Sequence, residues 1–394
     1  MHKSVAPVAV VGAGIAGLTA ANFLRRNGVP VMLLEGGKQI AGMASSYVDD
    51  RGFHYDFGAH FITNRLAAAV GISSQCRDVA YYGESFLLRG KAYSYPFGLL
   101  RVPRFVGSAL KKKLTAPFRS NASVRGVSDA DSAVGEPLRD SHAPSRSAPS
   151  KNEPASNGRT HSFRASFGET RPRTATAADW FRNEFGDALA NEVSLPILEA
   201  WSGVPADRLS SAVGEKLQNS ILRTLYLKLH SRLQGRAISI GYSQEMREGP
   251  HVWHVYPERG VSQVCERLLD GLEDDIELES PVDEIVVEDG AVVAVRVGGA
   301  QRDVSAVVST VPATVLPKLI TGTSVLEPLR RFQFRGMTFV CLRFEKRGIL
   351  PDTVLWTAGA GLPFFRLTET PLSMPWLAPA GKTLITCDIG CQVG

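Results

Sequence analysis

The sequence predicts an α/β fold: a doubly wound, largely parallel sheet assembled from separate parts of the chain, joined to a mixed α+β region and interrupted by a disordered insertion. Three observations point there. An apolar run, a glycine turn and an amphipathic helix open the chain and lead into a second apolar run. Strand patterns return far downstream, after a helical middle. Between 118 and 175 large apolar residues become scarce, and Ser, Arg, Ala, Pro and Asn dominate.

Val8-Ala9-Val10-Val11 is apolar throughout, as a parallel strand covered on both faces requires. A helix follows over Ile15 to Arg26, with Leu18, Ala21, Phe23 and Leu24 among its apolar positions. Asn27-Gly28 supplies its stop, because both residues tolerate the left-handed backbone that ends a helix. Val31 to Leu34 is the next strand and closes a β-α-β unit. The stretch from about Phe118 to Thr176 has too little apolar surface to offset its ordering entropy, and is expected to be disordered. Helical signals resume at Ala177, with Asp179, Trp180, Phe181 and Phe185 on an amphipathic pattern. A second helix is expected over Ala188 to Leu195, stopped by Pro196. A longer one is expected over Ser210 to Leu233, with Val213, Leu217, Ile221, Leu225 and Leu229 as its core stripe. Another covers Val261 to Leu272. Asp289-Gly290 between two β-rich runs marks a hairpin. Val304 to Thr310, Thr338 to Phe344 and Thr383 to Ile389 read as further strands.

The 394 residues suffice for two domains with cores. A net charge of +5 reads as a mildly basic solvated surface, with no nucleic-acid footprint. The five cysteines are irregularly spaced and lack neighbouring histidines, so no metal site is expected. Unpaired thiols suit a reducing compartment, and a cytoplasmic location is expected. No window of about 18 apolar residues exists for a membrane span, while peripheral membrane contact and oligomeric state stay open.

Gly12-Ala13-Gly14-Ile15-Ala16-Gly17 is a G-x-G-x-x-G placed between a strand and a helix, as in a Rossmann-like dinucleotide site. Gly12 permits the tight turn, Gly14 lets the backbone approach a pyrophosphate, and Gly17 lets the helix pack against the strand. The helix N-terminus offers N–H groups and a positive dipole end to phosphates. Glu35 ends the second strand, where a carboxylate accepts hydrogen bonds from ribose hydroxyls.

The segments Ala41-Gly42-Met43-Ala44-Ser45 and Tyr55-Asp56-Phe57-Gly58-Ala59-His60-Phe61 extend this pattern. So do Trp201-Ser202-Gly203-Val204-Pro205, Tyr256-Pro257-Glu258-Arg259-Gly260, Pro281-Val282-Asp283-Glu284-Ile285, Ser309-Thr310-Val311-Pro312 and Pro363-Phe364-Phe365-Arg366. Together they resemble the flavin amine oxidase superfamily, in its protoporphyrinogen-oxidase-like and UDP-galactopyranose-mutase-like branches. The resemblance implies FAD as cofactor. It places Gly42, Met43 and Ala44 near the pyrophosphate, with Ala41-Gly42 standing for a glycine pair and Met43 for a frequent Arg. It places Gly58, Ala59, His60 and Phe61 by the flavin ring, the Val282 backbone at the adenine, and Thr310 beside the cofactor. It also implies a discontinuous arrangement. The FAD-binding domain takes 1–95 and 250–320, the substrate domain takes 96–117, 176–249 and 321–394, and the insertion takes 118–175.

Two residues are candidates for chemistry. His60 either positions or tunes the flavin or is hydrogen-bonded within a packed loop. Arg366 either binds an anionic group of a small-molecule substrate or is structural. Three function classes follow: FAD-dependent oxidation of a C–N or C–C bond in a small or hydrophobic molecule, a redox-neutral mutase using reduced flavin, and a non-catalytic flavoprotein fold. The third arises because no Gly-Asp segment of the kind that ends family members is found before Gly394, so impaired flavin binding is expected.

Overall fold

Val8–Val11 lies inside a four-stranded parallel sheet whose order is Ile276–Glu277, Val31–Leu34, Val8–Val11, Ala306–Ser309. In this computed structural model the described residues are 5–58, 61–115, 176–215, 221–240, 249–321, 323–357 and 361–392. The expected disordered insertion, 118–175, lies outside them, as do Ala59 and His60.

The apolar character of the opening strand has a direct cause. Val10 and Leu33 pack against Leu18 and Ala21 of the helix Ile15–Arg26 on one face. Ala9, Val11 and Leu34 pack on the other against Val282, Ile285 and Val295. Those last three belong to an antiparallel sheet ordered Val282–Glu288, Ala291–Val297, Ala300–Asp303. Asp289 and Gly290 join its first two strands at φ of 50° and 78°. Both turn residues are left-handed, the geometry that matches strand twist in a two-residue hairpin.

A six-stranded sheet makes the second layer. Its order is Gly336–Phe344, Thr383–Cys391, Arg366–Glu369, Val354–Trp356, Glu84–Leu88, Lys91–Ser94. All its pairings are antiparallel except that of Val354–Trp356 with Glu84–Leu88. Residues 84–94 thus share a sheet with 336–391. The wholly buried Glu369 ends one strand and accepts the Gly348, Ile349 and Leu350 N–H groups at 2.7, 2.9 and 2.7 Å, which satisfies its charge.

The helical middle departs from expectation at two places. Pro196 does not stop a helix: it sits in the first turn of Leu195–Ser202, where no intrahelical N–H is needed. The preceding Ala190–Ser194 is a π-helical turn. Within the expected long helix, Ala212–Glu215 and Ile221–Gln234 are helical, and 216–220 lies outside the described residues. Its expected core stripe does not hold at Leu229 and Val213. Leu229 is 55% exposed and Val213 37%, whereas Leu227 and Thr224 are buried. Ile221–Gln234 carries apolar residues on more than one side, so periodicity alone does not select the inward face. Tertiary contacts select it: Lys228 Nζ donates to the Tyr82 carbonyl at 3.0 Å.

Ala177–Phe185 begins at a capping box between Thr176 and Asp179, and buries Ala177, Ala178 and Phe181. Among the described residues no helix is long and apolar enough to cross a membrane. All five cysteines are free. Burial pushes the Cys76 and Cys265 thiols up to about 11, which suppresses the reactive thiolate at neutral pH.

Candidate active site

Gly12 takes φ of 101°, and a Cβ on it would lie 2.7 Å from Thr310 Oγ1. A Cβ on Gly17 would lie 1.8 Å from the Gly12 carbonyl oxygen. Turn and helix approach this closely only because neither position carries a side chain. Gly14 caps the helix with no side-chain hydrogen bond, and its first turn holds no acidic residue. The N–H groups and positive dipole end at this terminus therefore fit a pyrophosphate. Thr310 closes the turn from the neighbouring strand, its hydroxyl donating to the Val11 carbonyl at 2.9 Å.

Glu35 Oε2 accepts the Ala13 N–H and Oε1 accepts the Gly37 N–H, each at 2.7 Å. Each carboxylate oxygen keeps a second lone pair, so ribose hydroxyls fit beside these contacts. Ala41 bridges to Gly14, and its N–H donates to the Ala13 carbonyl at 2.9 Å. It does so at φ of 82°, the left-handed backbone that a glycine adopts without strain. The alanine that stands for the first glycine of the family pair thus keeps a glycine conformation. Met43, where the family often has Arg, is 70% exposed. Gly12, Ala13, Gly14, Gly17, Glu35, Gly42 and Thr310 are brought together in this way, and Ile15 and Ala16 form the first helical turn. Val282 opens its strand and packs in the cluster that contains Leu34, one residue before Glu35.

A chain of contacts leads from this cradle to the six-stranded sheet. Ala44 packs against both the cluster around Leu18 and the cluster around Tyr256. Two residues on, the Ser46 hydroxyl donates to Asp56, and Tyr256 donates to the other Asp56 oxygen. Burial, and then the Asp56 carboxylate, push the Tyr256 hydroxyl well above its usual range, so it stays protonated as a donor. This anchors the segment that runs to Gly58. A Cβ on Gly58 would meet the Phe339 ring at 3.4 Å and Arg366 Nη2 at 4.0 Å. Phe61 lies with its ring centroid 4.8 Å from Tyr82 and 5.2 Å from His254.

Phe339, Asp388, Arg366, Trp356 and Phe86 are successive cross-strand partners, so one row of side chains crosses the sheet on a single face. Arg366 Nε donates to Asp388 Oδ2 at 2.8 Å, and its Nη2 reaches the same oxygen. The Arg366 guanidinium lies 5.4 Å from the Trp356 ring centroid. Asp388 is 1% exposed, and its Oδ1 has no partner among the described residues. Burial raises the Asp388 carboxyl above its usual range, opposed by Arg366. Arg366 is therefore already paired, and its charge is largely balanced without an anionic ligand. His60, the other candidate for chemistry, lies outside the described residues.

Asp388, Trp356 and Phe339 were not singled out from the sequence. The available signal was Asp388 itself, a single charge inside the apolar run Leu384 to Ile389. A charge at such a position needs a buried partner.

No curated protein matches this chain. Its fold is similar to a reduced UDP-galactopyranose mutase structure, with a TM-score of 0.68 and 15% identity over 99% of this chain and 76% of that one. A putative protoporphyrinogen oxidase from Exiguobacterium sp. 255-15 gives 0.64 and 17%, over 98% and 78% of the two chains. Cyclohexylamine oxidase from Brevibacterium oxydans IH-35A gives 0.59 and 15%, over 98% and 76%. The family model described as flavin containing amine oxidoreductase matches residues 15–392, and the chain, an FAD-dependent oxidoreductase, belongs to that family.

Proposed function

We propose that the protein oxidises a C–N or C–C bond of a small, largely hydrophobic substrate held against the six-stranded sheet. The observation that carries this reading is the row Phe339, Asp388, Arg366, Trp356 and Phe86, which meets the flavin-side segment at Gly58. Gly12 to Gly17 hold the pyrophosphate, with Gly42, Met43 and Ala44 beside it. Glu35 holds the adenosine ribose, the Val282 backbone the adenine, and Thr310 the turn itself. Gly58 and Phe61 line the ring. FAD supplies an acceptor for the two electrons leaving the substrate bond. The protein supplies orientation and a dry wall. Trp356, Phe86 and Phe339 give an apolar surface, and the Arg366–Asp388 pair gives it one polar edge whose orientation is fixed by Trp356.

Anaerobic mixing of the flavin-loaded protein with panels of primary and secondary amines, and of cyclic hydrocarbons with activated C–C bonds, tests this. Loss of the oxidised flavin absorbance with a substrate-dependent rate is the expected result. Turnover of a sugar nucleotide seen only after prior reduction of the flavin would replace the oxidation reading with the mutase reading.

A further inference from the structure

A cavity of about 220 Å³ lies between the strand Glu84–Leu88 and the helix Ile221–Gln234. Tyr82, Tyr95 and Phe97 give it aromatic walls. Four charged side chains reach it: Glu84, Lys228, Arg232 and Asp352. Formal charge therefore balances, but hydrogen bonding does not.

The carboxylates already have donors. Asp352 accepts from Tyr81 on Oδ1 and from Ser85 on Oδ2, and Glu84 accepts from Tyr82. The cations keep donors without acceptors among the described residues. Lys228 Nζ makes one hydrogen bond among the described residues, to the Tyr82 carbonyl at 3.0 Å, and lies 5.3 Å from the centroid of the Tyr82 ring. An ammonium has three donors, so two remain. The Arg232 guanidinium stacks 4.7 Å over Phe97 and has no hydrogen bond or ion pair among the described residues. Lys228 and Arg232 stand four apart on one helix, so they share a face and repel each other. Burial lowers the Lys228 pKa, Glu84 and Asp352 oppose that, and Arg232 adds to it. An anion between the two cations would relieve this repulsion and fill the idle donors together.

We propose that this cavity binds the oxyanion group, carboxylate or phosphate, of a ligand with a flat apolar body, using Lys228 and Arg232 as donors and Tyr82, Tyr95 and Phe97 as walls. Tyr82 also packs against Phe61, which belongs to the segment given to the flavin ring. The ligand is then the substrate, entering with its anionic end in this cavity. That identification rests on the preceding proposal, whereas oxyanion binding itself does not.

The test titrates the full-length protein, as purified, with benzoate and phenyl phosphate, and with benzylamine and benzyl alcohol as the cationic and neutral counterparts. Calorimetry reads affinity. Benzoate or phenyl phosphate is expected to bind, and the tighter of the two identifies the oxyanion. Binding should weaken as salt rises, and Arg232→Gln and Lys228→Met should each weaken it by about tenfold or more, the loss of one charge-assisted hydrogen bond. Arg232 is exposed, so its variant is expected to keep the wild-type melting temperature and to isolate the binding effect. The proposal is overturned if neither anion binds, if benzylamine or benzyl alcohol binds as tightly, or if both variants bind as the wild type does. Anion binding that depends on Arg232, in a protein whose flavin no substrate reduces, would support the cavity and sink the oxidation reading. Flavin reduction by substrates that benzoate neither binds beside nor inhibits would do the reverse.

Discussion

Glu35 accepts the Ala13 N–H at 2.7 Å, tying the end of the second strand to the glycine turn before any ribose is bound. The carboxylate therefore has two tasks, ordering the turn and receiving the nucleotide. Glu35→Ala is expected to weaken FAD binding by about 1–3 kcal/mol, the range for a charge-assisted hydrogen bond. Glu35→Gln retains an oxygen acceptor and should lose less. Quenching of FAD fluorescence on titration with each variant measures this. Equal affinity for wild type and Glu35→Ala would show that the ribose is held elsewhere.

Ala41 carries a left-handed backbone, φ 82°, at a buried position. An L-residue pays about 1–2 kcal/mol for that conformation, and glycine returns roughly 0.5–1 kcal/mol of it through greater unfolded-state freedom. Ala41→Gly is therefore expected to stabilise the protein by about 0.5–1 kcal/mol. Urea unfolding monitored by tryptophan fluorescence gives the value. A destabilised variant would mean that the buried Ala41 methyl contributes more packing than the backbone strain removes.

The nucleotide cradle was legible in the sequence because local rules fix it. Gly12, Gly14 and Gly17 stand where their lack of a side chain is used, and Glu35 ends the strand it was assigned to. The Asp289-Gly290 hairpin was legible for the same reason, since two adjacent left-handed residues determine the turn. The inward face of Ile221–Gln234 was not. It is set by contacts with Tyr82 and Phe97, more than a hundred positions away in the chain. The row across the six-stranded sheet was hidden likewise. Asp388, Arg366 and Trp356 become neighbours only through strand pairing, which no short motif encodes.

His254 is partly buried, packed beside Phe61 and Tyr82. Burial, with a smaller contribution from Lys228, lowers its pKa from 6.5 to about 4. The folded state therefore holds the neutral ring, while the unfolded chain binds a proton first. Stability from this residue is present above about pH 6.5 and is lost as pH falls towards 4, by about 3 kcal/mol in total. In His254→Phe that part of the acid sensitivity should vanish. Melting temperatures of both proteins between pH 4 and 7 test this. Parallel curves would mean that His254 is accessible and titrates normally in the fold.

Arg366 and Asp388 should behave as one unit. Asp388 is nearly solvent-free and Arg366 is partly exposed, so the two single losses are unequal. Arg366→Met strips Asp388 of its one charged partner among the described residues and leaves an unpaired buried carboxylate, at a cost of about 3–5 kcal/mol. Protonation of Asp388 offsets part of that cost, since burial already raises its pKa, so the variant should recover stability as pH falls. Asp388→Leu leaves a guanidinium that still reaches solvent and stacks on Trp356, so its cost should be smaller. With both residues replaced, no charge remains in this row, which is then apolar from Phe339 to Phe86. The double variant is then expected to be more stable than Arg366→Met alone, despite carrying one more substitution. Urea unfolding of the four proteins at neutral pH gives the coupling energy. Additive losses would show that the pair is not coupled, and that the polar edge assigned to this sheet face is held by something other than Asp388.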